Sequence, residues 1–186
     1  LEYAQWLHAA LKPLSSELRI RENRGYGREV AEFHTLSHAF ILEAANQVYQ
    51  PKKSISRKFL DRLDELGVAI WWMDDGSTTS LATHAFTVPE NQLIVDWLQD
   101  RWEITASIRT DNRVRKPFLT FLQPNATRLL RLVAPYVIPS LWYKFGRFLP
   151  TLLFEGLLSA CDEQDDSSRP TTSELPKTTT SSPTES

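Results

Sequence analysis

The sequence predicts an α+β fold made of two related halves, and three observations carry that prediction. The order helix, strand, basic turn, strand, helix is written twice, about ninety residues apart. Within the second copy, apolar and polar residues alternate with the period of paired strands. Between the copies lies a run with apolar residues at three- and four-residue steps, which ends in "AIWWMDDGS".

In the first copy "EYAQWLHAALKPL" leads to "ELRIRENRGYGREVAEFHTLS" and then to "HAFILEAANQVYQP". The second reads "ENQLIVDWLQDRW", "EITASIRTDNRVRKPFLTFLQ" and "NATRLLRLVAPYVIP", with Trp6-Leu7 answering to Trp97-Leu98 and Tyr49 to Tyr136. Ile104, Ala106 and Ile108 alternate with Thr105, Ser107 and Arg109, and Phe118 to Leu122 follow a charged turn, so one face of this hairpin is dry and the other wet. Pro89 and Glu90 suit the first turn of a helix, and Asn125 suits the cap of the next. In the linking run, Leu60, Leu63, Leu66, Ile70 and Met73 predict a helix from about Ser56 to Asp74. Gly67 and Ala69 leave room for a second helix beside it, and Gly76 is expected to stop it in a left-handed conformation. Trp71 and Trp72 read as core residues of that helix rather than as stacking platforms for bases.

A chain of 186 residues with 41% hydrophobic content can bury a core of domain size. From Cys161 onward the chain runs "CDEQDDSSRPTTSELPKTTTSSPTES", too polar to offset its ordering entropy, so residues 151–186 are expected to form a mostly disordered tail. No run approaches membrane-spanning length. One cysteine points to a reducing interior, with bacterial cytoplasm, mitochondrion and plastid all open. The net charge of -2 conceals an uneven distribution, because residues 1–154 carry 19 basic side chains against 16 acidic. Arg19, Arg21, Arg24 and Arg28 form one cluster, and Arg109, Arg113, Arg115 and Lys116 another, each at the turn of a predicted hairpin. Equivalent clusters in the two copies point to a phosphate backbone as partner.

The run "AIWWMDDGS" places Asp74 and Asp75 at the C-terminal end of a helix, where the dipole disfavours an anion by roughly 0.3–1 kcal/mol. Adjacent carboxylates also repel. A divalent cation relieves both penalties, and Mg²⁺ suits one or two carboxylates whose remaining octahedral positions go to water and phosphate. A plain turn is the competing reading of "DDG" alone.

In its longer context, "LGVAIWWMDDGS", then "LATHAF", a helix, a basic hairpin and "VAPYVIPSLWYKF", residues 1 to 148 resemble the LAGLIDADG homing endonucleases, in the subgroup whose motif carries a Trp and a doubled Asp. The resemblance implies pseudo-symmetric αββαββα repeats, with residues 1–55 the remainder of a first half-domain and 56–150 a second. It implies two motif helices side by side, each ending in an acidic metal ligand over the DNA minor groove, and antiparallel four-stranded sheets forming a saddle on the major groove. Asp75 then holds Mg²⁺ and Asp74 assists. Lys116 falls where a lysine serves the scissile phosphate, a solvated lysine in a basic turn being the alternative. His84 falls where a polar strand residue positions water, an ordinary strand histidine being the alternative. The seven arginines of the two clusters, with Lys144, would contact double-stranded DNA.

The chain departs from the pattern in carrying one acidic motif helix, since "LEYAQW" begins past the place for a first. Only twelve residues separate Gly76 from Pro89, which cramps the hairpin expected there. Weak cleavage or none is therefore expected of this chain by itself, with self-association as one way to restore a second motif helix. Binding of intron RNA as a maturase is the alternative function, and a decayed reading frame is a third.

Overall fold

The computed structural model describes residues 1–23, 28–49 and 51–157. Arg24 and the segment from Cys161 onward lie outside the described residues.

Both predicted copies of the helix, hairpin, helix unit are present. In the first, helix α1 (Glu2–Ala10) leads to strands β1 (Arg19–Asn23) and β2 (Arg28–Glu32) and to helix α2 (Ala39–Val48). Two short linking helices, α3 (Arg57–Leu60) and α4 (Glu65–Asp75), and a two-residue strand β3 (Ser80–Leu81) come next. The second unit is α5 (Val88–Trp102), β4 (Ser107–Asp111), β5 (Lys116–Thr120) and α6 (Asn125–Val133). Tight turns over Ala134–Tyr136 and Pro139–Phe148 carry the chain to helix α7 (Leu149–Leu152).

The sheets are smaller than the four strands that the resemblance implied. β1 and β2 form an antiparallel pair, and the second sheet has the order β3-β5-β4, also antiparallel. The short spacing after Gly76 explains the loss. Ser77 N–H bonds the Ser80 carbonyl at 2.8 Å and Gly76 bridges to Leu81, so the chain reverses at once and leaves one strand where a hairpin was expected.

The expected helix from Ser56 to Asp74 is broken into two. Ser56 caps α3 through Phe59 N–H, and Asp64 caps α4 through Gly67 N–H, so two capping side chains eight residues apart outcompete a continuous helix. Thr87 and Glu90 form a reciprocal capping box at the start of α5, with Pro89 in its first turn, as expected. Asn125 behaves differently: it is the first residue of α6, and its side chain accepts the Thr105 N–H at 3.0 Å instead of capping the helix.

The buried apolar residues run from Ile55 to Leu152, and among the described residues none precedes Ile55. Val68, Ala69, Trp72 and Met73 put one face of α4 into this core, beside α6 with its buried Leu129, Leu130 and Val133. Trp72 is fully buried and stacks on Phe145 with centroids 5.0 Å apart, so the core reading of this tryptophan holds. Leu152 is buried as well, and Arg131 pairs with Glu155, so residues 151–155 belong to the packed body and not to the polar tail in which the sequence reading placed them.

Candidate active site

α4 aims its last residues at the surface because its two faces do different work. Val68, Trp72 and Met73 anchor one face, whereas Gly67, Ile70, Trp71 and Asp74, with Leu63 just before the helix, border a cavity of about 530 Å³. Asp75 and His84 border the same cavity. Both aspartate side chains are exposed. Asp75 also fixes the turn that follows, since its carbonyl accepts the Ala82 N–H at 2.9 Å.

Gly76 ends the helix, but in an extended conformation (φ -92°, ψ 161°) and not in the expected left-handed one. The reason for glycine is steric. A Cβ here would lie 2.5 Å from the Trp72 carbonyl oxygen and closer still to its indole ring. The chain therefore folds back over Trp72, whose Nε1–H donates to the Ser77 carbonyl at 2.9 Å.

The anionic tip has cationic company that sequence reasoning misplaced. Lys144, expected among the DNA contacts, is half-buried and turns its ammonium inward to donate to the Met73 carbonyl, with the Trp72 carbonyl at 3.4 Å. It thus caps the C-terminal end of α4, where a cation is favoured. Burial lowers its pKa below the usual lysine value, while Asp74 and Asp75 pull in the opposite direction. Its backbone is held too: the Lys144 carbonyl accepts the Thr78 hydroxyl at 2.8 Å, and Gly146, at φ 55°, lets the chain pass Thr78 closely. Tyr3, unremarked in the sequence, donates its phenol to Asp74 Oδ1 at 2.8 Å. Burial first, and then this bond to a carboxylate, raises the Tyr3 pKa. No local pattern announces either contact, because both partners lie about seventy residues from α4.

His84 sits in a turn after β3 and not on a strand. Its ring packs on Phe118 with centroids 5.7 Å apart, and its Nε2 lies 3.6 Å from Asp111 Oδ2, too far for a hydrogen bond. That nitrogen has no hydrogen-bond partner among the described residues. Lys116 is exposed, opposite Asp111 in the β4–β5 register. β5 meets β3 at Leu119 and Thr120, so Lys116 stands three residues up the strand, roughly 10 Å from the edge nearest Gly76. It does not border the cavity. Asp74, Asp75, His84 and Lys144 are gathered near the tip; Lys116 belongs to the hairpin.

On that hairpin the register puts Ile108 and Leu119 on the core face, and Ser107, Arg109, Asp111, Lys116, Phe118 and Thr120 on the other. His84 packs on this open face, which joins it to the cavity mouth. Arg113 and Arg115 extend the basic edge in the exposed turn, Arg115 at φ 56°. In the other hairpin Arg19 and Arg21 share a face, and Arg21 is paired with Glu32. Arg28 pairs with Asn23 through its backbone.

The sequence profile of the LAGLIDADG DNA endonuclease family matches residues 1–129. The chain belongs to that family. Among its relatives, Protein RecA of Mycobacterium shimoidei is 29% identical over 160 residues, covering 77% of this chain and 37% of that protein. The Intron-encoded endonuclease ai4 of Dictyostelium discoideum is 29% identical over 121 residues, 62% of this chain and 76% of that protein. The Cytochrome b mRNA maturase bI2 of Debaryomyces hansenii is 26% identical over 160 residues, 80% of this chain and 61% of that protein. The chain thus spans about a third of the RecA relative's length. In fold it is similar to the homing endonuclease I-WcaI bound to its DNA recognition sequence, with a TM-score of 0.63 at 22% identity over 77% of this chain and 70% of that one.

α4 ends in two aspartates, with Asp75 immediately before its closing glycine. Among the described residues no three His, Cys, Asp or Glu side chains converge as a metal cage. Two exposed carboxylates do fit a hard cation that keeps several positions for water and substrate oxygens, as Mg²⁺ does. No helix among the described residues is long and apolar enough to cross a membrane.

Proposed function

We propose that this chain is the catalytic and DNA-binding part of a site-specific endonuclease that hydrolyses phosphodiester bonds with the help of a divalent cation. The observation that carries the reading is the tip of α4, where the exposed Asp75 lies beside the cavity mouth with Lys144 behind it. Endonucleases of this family are generally metal-dependent, and Mg²⁺ is the proposed ion, held by Asp75. When bound, the ion would acidify a water and neutralise charge gathering on the phosphate.

The chain's own residues divide the remaining tasks. Lys144 keeps the helix end from repelling an approaching phosphate, a role that suits it better than Lys116 because of its position. His84, expected to position a water, has its Nε2 closed off from solvent 3.6 Å from Asp111 Oδ2, so its proposed part is to hold the turn after β3 against the hairpin at the cavity mouth. Arg109, Arg113, Arg115 and Lys116 would grip the backbone of double-stranded DNA, and Arg19, Arg21, Arg24 and Arg28 would do so along the first hairpin. The cavity along Leu63, Gly67, Ile70 and Trp71 suits a second motif helix, which self-association of two copies would supply. Sedimentation should then show a dimer, and a monomer at every concentration would count against it.

The deciding experiment is a nicking assay on long duplex DNA with Mg²⁺, comparing the parent, Asp75→Asn and a chelator control. Loss of nicking in the last two is expected. Equal nicking by parent and variant defeats the reading. A second function, binding of intron RNA as a splicing factor, is favoured by the maturase relatives. It would be marked by preference for intron over unrelated RNA at fixed salt.

A further inference from the structure

The two carboxylates at the tip of α4 are treated differently by their surroundings. Asp74 accepts the Tyr3 phenol at 2.8 Å, whereas the Asp75 carboxylate takes no hydrogen bond and no ion pair among the described residues. Tyr3 is held in place for this contact. It is half-buried against the core, and its ring stacks on Trp6, one turn further along α1, with centroids 6.1 Å apart and planes within 18°. A carboxylate that accepts a phenolic proton donor gives up lone-pair capacity on that oxygen and is fixed in one rotamer. Here that rotamer turns Asp74 Oδ1 toward α1.

We propose that Tyr3 is a positioning residue that restrains Asp74 from the cation site, so that Asp75 ligates alone and the remaining coordination positions stay open to water and phosphate. This rests on the reading of Asp75 as the metal ligand. The division has a chemical purpose. A site offering both carboxylates would supply more protein oxygens and more negative charge, which suits the higher-coordinate Ca²⁺ and leaves fewer open positions for water and a phosphate oxygen. It also gives the first half of the chain a direct hand in the proposed active site.

The test is a set of Mn²⁺ and Ca²⁺ titrations by calorimetry on the full chain, with thermal melts to confirm folding. The proteins are the parent, Tyr3→Phe, Asp74→Asn, the double variant and Asp75→Asn. Asp75→Asn should abolish Mn²⁺ binding. Tyr3→Phe should tighten Mn²⁺ by about three- to tenfold, and Ca²⁺ by more, as the freed Asp74 joins the ion. In the Asp74→Asn background the same phenylalanine substitution should change nothing, an outcome that a purely structural role for Tyr3 would not give. The proposal is overturned if Tyr3→Phe leaves binding unchanged, weakens it, or shifts it equally with Asp74 absent. Should Asp75→Asn bind Mn²⁺ as the parent does, the metal-ligand reading itself fails, which is distinguishable from a silent Tyr3→Phe beside a dead Asp75→Asn.

Discussion

Replacing Lys144 with methionine keeps most of the side-chain volume and removes one charge from the end of α4. In the folded protein the ammonium bonds the Met73 carbonyl and approaches the Trp72 carbonyl at 3.4 Å, at a helix terminus that also carries Asp74 and Asp75. A charge-assisted hydrogen bond is worth up to about 3 kcal/mol where water is excluded, and a cation at a helix C-terminus about 0.3–1 kcal/mol. Lys144 is only half-buried, so water reclaims part of both, and a net loss of about 1–2 kcal/mol is expected. For a body of this size that is a fall in Tm of roughly 2–8 °C. Thermal unfolding by circular dichroism measures it. The discriminating step repeats the substitution in an Asp74→Asn, Asp75→Asn background, where the ammonium has no carboxylates to offset and its removal should cost less by about 0.5 kcal/mol. A Lys144→Met protein as stable as the parent, or one whose loss is identical in both backgrounds, refutes the account of Lys144 as counter-charge to the acidic tip.

Gly76→Ala should destabilise by about 2 kcal/mol or more, read from urea unfolding, because the added methyl meets the buried Trp72 and its carbonyl. Thr87→Ala, which opens the capping box of α5, should cost about 1 kcal/mol in the same assay. Glu90 gives the pH dependence. Burial opposes its ionisation, but hydrogen bonds from the Thr87 hydroxyl and N–H and from Ile55 N–H outweigh it and hold the carboxyl below the usual glutamate value. Its stabilisation is thus present above the unfolded value of 4.5 and lost as pH falls through the lower folded value. Acid unfolding followed by fluorescence should be less steep in Glu90→Gln, and an unchanged slope would contradict the assignment. Alanine at Arg109 or Lys116 should weaken DNA binding evenly across sequences and reduce the salt slope by about one for each contact removed, measured by fluorescence anisotropy.

What the sequence made legible was whatever neighbouring residues decide among themselves. The twofold order of elements could be read because each unit repeats its own periodicity, and the start of α5 because Pro89 and Glu90 act within its first turn. The wet and dry faces of β4–β5 followed from strict alternation, although Ile104 and Ala106 are buried ahead of the strand and not within it. The misreadings share a cause, in that a competing partner sat outside the local pattern. Asp64 restarts a helix that the apolar spacing would have run through. Asn125 serves Thr105 across a turn of the chain. Gly76 is required by the ring of Trp72 and not by its own backbone angle. The largest gap was electrostatic, since the carboxylates could be found from "DDG" but their partners could not.

Those partners bear on why an acidic pair persists at an unfavourable helix end. Taken alone, α4 would pay for it in dipole and mutual repulsion, and the sequence offers a bound cation as the single remedy. The folded chain supplies two remedies of its own, the ammonium of Lys144 from beyond α6 and the phenol of Tyr3 from α1. Neither neutralises Asp75 by direct contact. Lys144 satisfies the carbonyls beneath it, and Tyr3 takes the neighbouring carboxylate. The effect is to make the helix end tolerable while leaving the Asp75 carboxylate unpaired among the described residues. A tip stabilised by a lysine bound directly to Asp75 would fold at least as well and would have nothing left for an ion to hold. The indirect arrangement is what the proposed cation site at Asp75 requires.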